Sequence, residues 1–276
     1  MKLRCADRLL DLSSPQVMGV LNVTPDSFSD GGDFASLDAA MFRAQQMIEQ
    51  GVAIIDVGGE STRPGAQNVE LQQELDRVIP LVEKINASLD ICISVDTSSP
   101  KVMVESKKAG AHILNDVRAL QREGAIDAAK QAKLPICLMH MQGEPDTMQL
   151  NPSYERLLED VRFFLQGRIN ACEVAGIGRD QILIDPGFGF GKSVAHNYQM
   201  LAKLQVFKSL NVPVLVGLSR KSMIGAVLNS CAAKDRMAGS VAAAVIAAMN
   251  GAHIIRVHDV KETVDALKVV QAVQLY

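Results

Sequence analysis

Eight short apolar segments alternate with helical patterns along the chain, and this alternation constrains the fold more than any other feature. The segments are continuous runs rich in Val, Ile and Leu, as expected of parallel strands covered by helices on both faces. They are Val17–Leu21, Ala53–Val57, Ile91–Val95, His112–Leu114, Pro135–Met139, Ile182–Ile184, Pro213–Val216 and Ala252–Val257.

Eight strand–helix units in 276 residues predict a single domain over residues 1–276. The predicted fold class is α/β, a (β/α)8 TIM barrel, because such barrels need about 250 residues. The active site of a TIM barrel lies at the C-terminal ends of the strands. A doubly wound open sheet is the alternative, since the pattern alone does not prove closure.

Capping residues predict where several helices begin and end. Ser36 is the predicted cap of the first helix, and Ser99-Pro100 is the predicted start of a helix that Gly110 ends. Asp259-x-x-Glu262 resembles a capping box before the last helix. Pro80 lies inside a helical stretch, which we expect it to kink or split.

Composition excludes several classes of protein. The net charge of −3 disfavours a nucleic-acid groove or an anionic membrane surface as partner. No run approaches the roughly 20 apolar residues of a membrane span, and the N-terminus has no apolar signal region. The five scattered cysteines form no C-x-x-C pair, which disfavours disulfides and zinc and favours a reducing, cytoplasmic location.

Polar residues stand at the C-terminal end of all eight predicted strands. Any one of them suits a cap or a turn, but a closed barrel brings all eight ends to one mouth. The positions are Asn22, Asp56, Asp96-Thr97, Asn115-Asp116, His140, Asp185, Ser219–Ser222, and Arg256 with His258.

These groups sort by chemistry into two sets. Asp96, Asn115 and Asp185 suit the amino and ring N–H edges of a flat heterocycle, because buried carboxylates accept such hydrogen bonds strongly. Cationic groups suited to phosphate oxygens are Arg63, Arg256 and His258, and Asn22 offers the neutral oxygen that a Mg²⁺ ion with retained waters uses. Lys221 suits a ring oxygen or developing charge, with a Schiff-base lysine as the alternative.

Three glycine- or proline-rich segments follow strands. Thr24–Gly32 and Ser61–Gln67 suit mobile lids, with ordinary βα turns as the alternative. Gly187–Ser193 ends in Gly-Lys-Ser but has Pro186 where a P-loop needs its first glycine. We interpret it as a turn that brings Phe188 and Phe190 to the mouth. His112 and His253, at strand starts, have predicted structural roles.

Five motifs resemble those of the dihydropteroate synthases, over nearly the whole chain from Met18. They are Met18–Gly32, Asp56–Gly65, Asp185–Lys192, Ser219–Ser222 and Arg256–Asp259. The resemblance implies a transferase that joins a pterin methyl diphosphate to 4-aminobenzoate in folate biosynthesis. It also implies Mg²⁺, a homodimer and inhibition by sulfonamides.

The resemblance further implies a role for each matching residue. The pterin would be held by Asp96, Asn115, Asp185 and Lys221, and the diphosphate by Asn22, Arg63, Arg256 and His258, with Asn22 on the metal. The 4-aminobenzoate pocket would comprise Phe28, Thr62, Arg63, Pro64, Phe190, Lys221 and Ser222. Catalysis would rest on Asp96, Lys221, Arg256 and His258, through an SN1-like path with pterin bound first.

Two alternatives remain open from the residues alone. A methyltetrahydrofolate-binding methyltransferase would share the pterin carboxylates but has no need of Arg63 or the Ser219–Ser222 segment. A non-catalytic pterin-binding paralogue is disfavoured by the intact loops and cations. Ala238–Met249 is a candidate dimer helix, although such apolar segments more often pack within a barrel.

Overall fold

The structure, a computed structural model, describes residues 1–23, 33–60, 69–143 and 147–275. Ten strands lie in these ranges: β1 Lys2–Cys5, β2 Arg8–Asp11, β3 Gln16–Asn22, β4 Ile54–Gly58, β5 Cys92–Asp96, β6 Ile113–Asp116, β7 Ile136–Met139, β8 Ile182–Asp185, β9 Leu215–Gly217 and β10 Ile254–Val257. β1 and β2 pair as an antiparallel hairpin, and the other eight strands form one parallel sheet. The eight strands match the predicted segments to within two residues at either end.

Helices connect the strands of the parallel sheet and cover its outer face. They are α1 Asp33–Glu49, α2 Leu71–Ser88, α3 Pro100–Ala109, α4 Ala125–Ala132, α5 Leu157–Ala175, α6 Val194–Ala202, α7 Ser222–Val227, α8 Met237–Met249 and α9 Val260–Gln274. Short 3₁₀ helices add Arg179–Gln181, Leu204–Leu210 and Ala233–Asp235. None of the helices in the described residues is long and apolar enough to cross a membrane.

The eight-stranded sheet is nearly closed into the predicted barrel. Its strand order is β8-β7-β6-β5-β4-β3-β10-β9, and the two end strands meet through one parallel bridge between Ile184 and Val214. Ile184 also donates its backbone N–H to the carbonyl of Pro213 at 3.0 Å. The barrel prediction is therefore confirmed, and the open doubly wound sheet is not.

The N-terminal end of the barrel interior is an apolar layer to which every strand contributes one side chain. The hairpin covers this end and adds Leu3, Cys5 and the adjoining Leu12 to the same buried cluster. The strand residues are Met18, Ile54, Cys92, Ile113, Cys137, Leu183, Leu215 and Ile254. The hairpin was not predicted from the sequence. The five cysteines of the chain are free, and all except Cys231 are buried.

The capping predictions had mixed outcomes. Ser99 and Gly110 flank α3 as expected, with Gly110 in the left-handed region at φ 103°. Pro80 does not split α2, which is continuous across it. The Ser36 cap is wrong, because α1 already begins at Asp33. Asp259 precedes α9 but its side chain makes no capping hydrogen bond, because its carboxylate binds Arg220 instead.

Candidate active site

Strand periodicity places the functional side chains one layer above the apolar layer. Successive side chains of a strand point to opposite faces, so residues two positions later also point into the barrel. From β3 to β10 these positions are Val20, Asp56, Ser94, Asn115, Met139, Asp185, Gly217 and Arg256. The interior therefore changes from wholly apolar to largely polar within two residues of each strand.

Arg256 is the centre of this polar layer. Its Nε donates to Asp56 Oδ2 at 2.6 Å, and its Nη2 donates to Asp96 Oδ2 at 2.9 Å. Asn115 Nδ2 approaches the same Asp56 oxygen at 3.4 Å. Side chains from β4, β5, β6 and β10 are thus joined in one network, as the predicted convergence requires.

Burial and charge oppose each other in this network. Burial raises the pKa of Asp96, and Arg256 counteracts that rise. Burial would lower the pKa of Arg256, but the charges of Asp56 and Asp96 outweigh it and raise that pKa. The guanidinium therefore carries its charge inside the barrel, where it pairs with the carboxylates of Asp56 and Asp96.

Asp185 and Lys221 form the opposite side of the site. Burial raises the pKa of Asp185, against the positive charge of Lys221. Burial lowers the pKa of Lys221 to about 8. The Lys221 ammonium donates to the Phe188 carbonyl and lies 4.7 Å from the Phe190 ring centroid. This lysine is therefore close to its titration point near neutral pH.

A cavity of about 420 Å³ opens above this layer at the C-terminal ends of the strands. Of the predicted site residues its lining includes Asn22, Asp96, Phe190, Lys221, Ser222, Arg256 and His258, and it also includes Glu60, Met148, Gly189, Ser219, Arg220, Ala233 and Arg236. Asn115 and Asp185 are buried and connect to the lining through Asp56 and Lys221. The predicted Phe28, Thr62, Arg63 and Pro64 lie outside the described residues.

His258 and Ser219 are held together beside the cavity. The Ser219 hydroxyl lies 3.0 Å from His258 Nδ1 and accepts the His258 backbone N–H at 3.2 Å. Ser219 precedes Arg220, whose guanidinium binds the Asp259 carboxylate through two hydrogen bonds. The two motifs Ser219–Ser222 and Arg256–Asp259 therefore fix each other in space.

A second polar network supports Glu60, a cavity residue that the sequence analysis did not single out. Asp116 accepts hydrogen bonds from the Ser98 hydroxyl and from the backbone N–H groups of Arg118 and Leu120. Arg118 in turn donates to Ser98 and lies 3.6 Å from Glu60. Asp116 therefore holds a loop and does not face the mouth.

Besides Asp116, two further residues expected at the mouth do not reach it. His140 does not join the convergent set, because its Nδ1 lies 2.9 Å from the Nζ of Lys192, which also donates to the carbonyls of Gly187 and Phe190. Phe188 is fully buried in the outer core, so only Phe190 reaches the cavity. The Gly-Lys-Ser segment is a structural turn, as interpreted, because Lys192 holds its carbonyls.

His112 and His253 have the predicted structural roles. His112 Nδ1 accepts the Ile93 backbone N–H at 3.1 Å, and its Nε2 lies 3.1 Å from Nε of Arg8 in the hairpin. His253 Nδ1 accepts the Val214 backbone N–H at 3.0 Å. Both imidazoles thus act as hydrogen-bond acceptors between neighbouring strands at the closed end of the barrel.

Asp56 is the most important residue that the sequence analysis left without a role. It belongs to the quoted motif Asp56–Gly65, but its contact with Arg256 was not foreseen. Because side chains alternate between the two faces of a strand, Asp56, two residues after the inward-facing Ile54 of β4, points into the barrel. Arg236 carried no such signal, because it lies in an irregular segment before α8.

Comparisons with known proteins show the family of the chain. Residues 18–258 match the family described as pterin binding enzyme. The dihydropteroate synthase of Escherichia coli (strain K12) is 57% identical over 272 residues, which are 99% of this chain and 96% of that protein. The chain belongs to the dihydropteroate synthase family of pterin-binding enzymes.

Other dihydropteroate synthases extend the match to sequence and structure alike. The Haemophilus influenzae enzyme is 54% identical, covering 99% of this chain and 98% of its own. A Yersinia pestis dihydropteroate synthase solved in complex with a sulfonamide drug is 55% identical, with a TM-score of 0.96 and full coverage of both chains. A Xanthomonas albilineans dihydropteroate synthase with 4-aminobenzoic acid is 49% identical, with a TM-score of 0.95 over 100% of this chain and 98% of its own.

Proposed function

We propose that this protein condenses (7,8-dihydropterin-6-yl)methyl diphosphate with 4-aminobenzoate, giving 7,8-dihydropteroate and diphosphate. The methylene–oxygen bond to diphosphate breaks, a methylene–nitrogen bond forms, and the amine loses one proton. The observation that carries the proposal is the buried network in which Arg256 joins Asp56 and Asp96 beneath a cavity lined by further cations. Relatives named dihydropteroate synthase that are 54% and 57% identical to this chain support it.

The buried acceptors suit the pterin ring. Asp96, Asn115 and Asp185 are all more than nine-tenths buried and come from three different strands. A pterin edge carries amino and ring N–H donors, which such carboxylates accept strongly in a dry site. Lys221 would donate to a ring oxygen, and the Phe190 ring would contact the aromatic 4-aminobenzoate.

Departure of the diphosphate is the demanding step, since the aromatic amine is neutral and needs no strong base. Arg256 Nη1 makes no hydrogen bond among the described residues and is available to phosphate oxygens, with His258 beside it. Asp96 would stabilise positive charge on the pterin methylene as the leaving group departs. The path is therefore SN1-like, and the predicted Arg63 would add a further cation.

The surroundings of Asn22 fit the predicted Mg²⁺ ion. Asn22 lines the cavity, and a Cβ on Gly58 would approach its amide oxygen to 3.2 Å, so the glycine keeps that oxygen accessible. The described residues contain no cluster of three His, Cys, Asp or Glu ligands, which suits an ion held mainly by water and phosphate oxygens. When bound, Mg²⁺ neutralises charge on the diphosphate.

A pyrophosphate-release assay with both substrates and Mg²⁺ tests the proposal. We expect release only when pterin diphosphate and 4-aminobenzoate are both present, with sulfonamides competing against 4-aminobenzoate. Methyltetrahydrofolate with a methyl acceptor is the control for the methyltransferase alternative. The absence of pyrophosphate with folded, pterin-binding protein would instead identify a non-catalytic paralogue.

Ordered binding is part of the same proposal. The aminobenzoate pocket would include Phe28, Thr62, Arg63 and Pro64, which belong to the two segments predicted as lids. We therefore propose that the pocket is completed only after pterin is bound. Calorimetric titration of 4-aminobenzoate, with and without bound pterin and diphosphate, measures this directly. Equal affinity with and without pterin and diphosphate would contradict the order.

We also propose a homodimer in the cytoplasm. The neighbouring helices α8 and α9 expose the apolar side chains Ile246, Met249, Val269 and Val273, each at least 45% accessible. Burial of such a face would remove apolar surface from water. Light scattering on the eluted protein measures the mass, and Ile246→Glu should shift it to that of a monomer.

A further inference from the structure

Arg236 contacts the cavity without belonging to any of the recognised motifs. It precedes α8 and its side chain crosses to the segment 219–222 at the start of α7. Nη1 donates to the Arg220 carbonyl at 2.9 Å, and Nε and Nη2 donate to the Cys231 carbonyl at 3.0 and 2.8 Å. One guanidinium thus ties two separate pieces of backbone together beside the cavity.

Arg220 needs such support because its backbone is strained. Its φ of 60° lies in the left-handed region, which non-glycine residues rarely adopt. The Arg236 guanidinium donates to the Arg220 carbonyl, and the Ser240 hydroxyl accepts the Arg220 backbone N–H at 2.9 Å. Ser240 also donates to the Arg236 carbonyl at 2.7 Å. Both backbone polar groups of Arg220 are therefore fixed from the Arg236–Ser240 segment.

The residues on either side of Arg220 face the site. Ser219 contacts His258, and Lys221 contacts the Phe188 carbonyl and the Phe190 ring. A rotation of the strained peptide would move both side chains, since they flank it directly. The geometry of Arg220 therefore determines the positions of Lys221, a predicted pterin residue, and of Ser219, which contacts the predicted diphosphate residue His258.

The packing leaves space for Arg236 at one glycine. A Cβ on Gly225, in the middle of α7, would come within 2.6 Å of the Arg236 guanidinium carbon and Nε. Gly225 is buried, so the guanidinium lies directly against the helix backbone. This close approach excludes any side chain larger than hydrogen at residue 225 while Arg236 keeps its position.

We propose that Arg236 is a positioning residue for the proposed reaction, holding the 219–222 segment so that Ser219 and Lys221 point into the cavity. The inference rests on the proposed function for its kinetic consequence and on the described contacts for its structure. It assigns no direct substrate contact to Arg236. Gly225 and Ser240 are its structural partners in this role.

Steady-state kinetics of Arg236→Gln are the first test. We expect kcat/KM to fall about 10- to 100-fold, as for misplacement of reacting groups by about 1 Å, with KM rising for both substrates. KM does not depend on the amount of folded enzyme, so a merely structural loss would lower the apparent kcat and leave KM unchanged. An unchanged KM would overturn the proposal.

Arg168→Gln is the matched control. Arg168 likewise donates to the carbonyls of two left-handed residues, Ala119 at 2.7 Å and Leu120 at 3.1 Å, but it does not line the cavity. We expect this variant to lose stability while it keeps both KM values. A KM change equal to that of Arg236→Gln would show a general effect of loosened loops and contradict the specific role.

Ser240→Ala and Gly225→Ala separate positioning from direct substrate contact, and keep the test valid if Arg236→Gln fails to fold. Ser240→Ala removes the bond to the Arg220 N–H, and the new methyl of Gly225→Ala displaces the guanidinium. We expect both to raise KM, by less than Arg236→Gln. Wild-type KM values in both, with a raised KM only when Arg236 itself is changed, would mean that Arg236 binds substrate and would overturn the proposal.

Hydrogen exchange makes the test independent of the proposed function. The Arg220 amide should exchange at least about tenfold faster in Arg236→Gln than in the wild type or in Arg168→Gln. In Arg236→Gln the segment around Arg220 can open without breaking the hydrogen bond from Arg236 to the Arg220 carbonyl. If the wild-type protein shows no turnover but the exchange difference is observed, the proposed reaction is refuted and the positioning role of Arg236 stands. If the wild-type protein turns over but the Arg220 amide exchanges equally fast in all three proteins, only the positioning role of Arg236 is refuted.

Discussion

The two ends of the barrel interior differ completely, although the same eight strands build both. At the N-terminal end each strand contributes one apolar side chain, and the hairpin adds three more. Two residues further along, the layer contains Asp56, Asn115, Asp185 and Arg256. The comparison teaches that stability and chemistry occupy adjacent layers, so that changes in one layer should leave the other nearly intact.

The largest expected effect comes from removing the central charge of the polar layer. Arg256→Met leaves Asp56 and Asp96 buried without their partner, which should cost on the order of 3 kcal/mol of unfolding free energy. We expect kcat/KM to fall about 10³-fold, since stabilisation of the leaving group is lost too. Urea denaturation and initial-rate assays measure the two. A kcat/KM within tenfold of wild type would contradict the role of Arg256 in stabilising the leaving group.

Two substitutions on β8 compare the layers directly. Leu183→Ala should cost about 3 kcal/mol of unfolding free energy and leave the affinity for pterin unchanged. Asp185→Ala should cost about 1–3 kcal/mol of unfolding free energy, because it leaves the Gly187 N–H without its acceptor and Lys221 without a counter-charge. Unlike Leu183→Ala, it should also lower pterin affinity by about 2 kcal/mol. Calorimetric titration and thermal unfolding of both variants suffice. Retained pterin affinity in Asp185→Ala would contradict the assignment.

The hairpin provides a smaller test of the closed end. Leu3→Ala removes a fully buried side chain from the apolar layer at the N-terminal end. We expect the free energy of unfolding to fall by about 2–3 kcal/mol and both KM values to be preserved. Leu9→Ala on the exposed side of the hairpin, where the side chain is 56% accessible, is the control and should have little effect. A raised KM in Leu3→Ala would show that the layers are coupled.

At neutral pH the smallest expected effect is a pH dependence arising from Lys221, because it develops only above about pH 8. Its folded pKa of about 8 lies below the ordinary lysine value of 10.5, so between these values the unfolded chain binds more protons than the folded one. Stability should therefore rise with pH from about 8 to 10.5, with a slope of up to about 1.4 kcal/mol per pH unit from this group. Lys221→Met should lack that contribution. Identical pH–stability curves would exclude the shift.

The sequence predicted the barrel because buried parallel strands give continuous apolar runs that are easily recognised. It also predicted the convergence of Asp96, Asn115, Asp185 and Arg256, since barrel closure brings strand ends together. The hairpin escaped because its strands contain charged residues and alternate between more and less exposed positions, so they give no continuous apolar run. His140 and Asp116 were misassigned because a strand end can face a loop as readily as the mouth, and no sequence signal distinguishes the two. Arg236 escaped because its partners are backbone carbonyls.

The bridge between Ile184 and Val214 has a consequence for how the chain can be divided. Every other pair of neighbouring strands in the barrel shares three to five registered residue pairs, whereas β8 and β9 share this single bridge. A cut between these two strands therefore severs the weakest ladder of the ring. We expect fragments 1–211 and 212–276, produced separately, to reassemble into a working enzyme more readily than fragments divided at any other strand boundary.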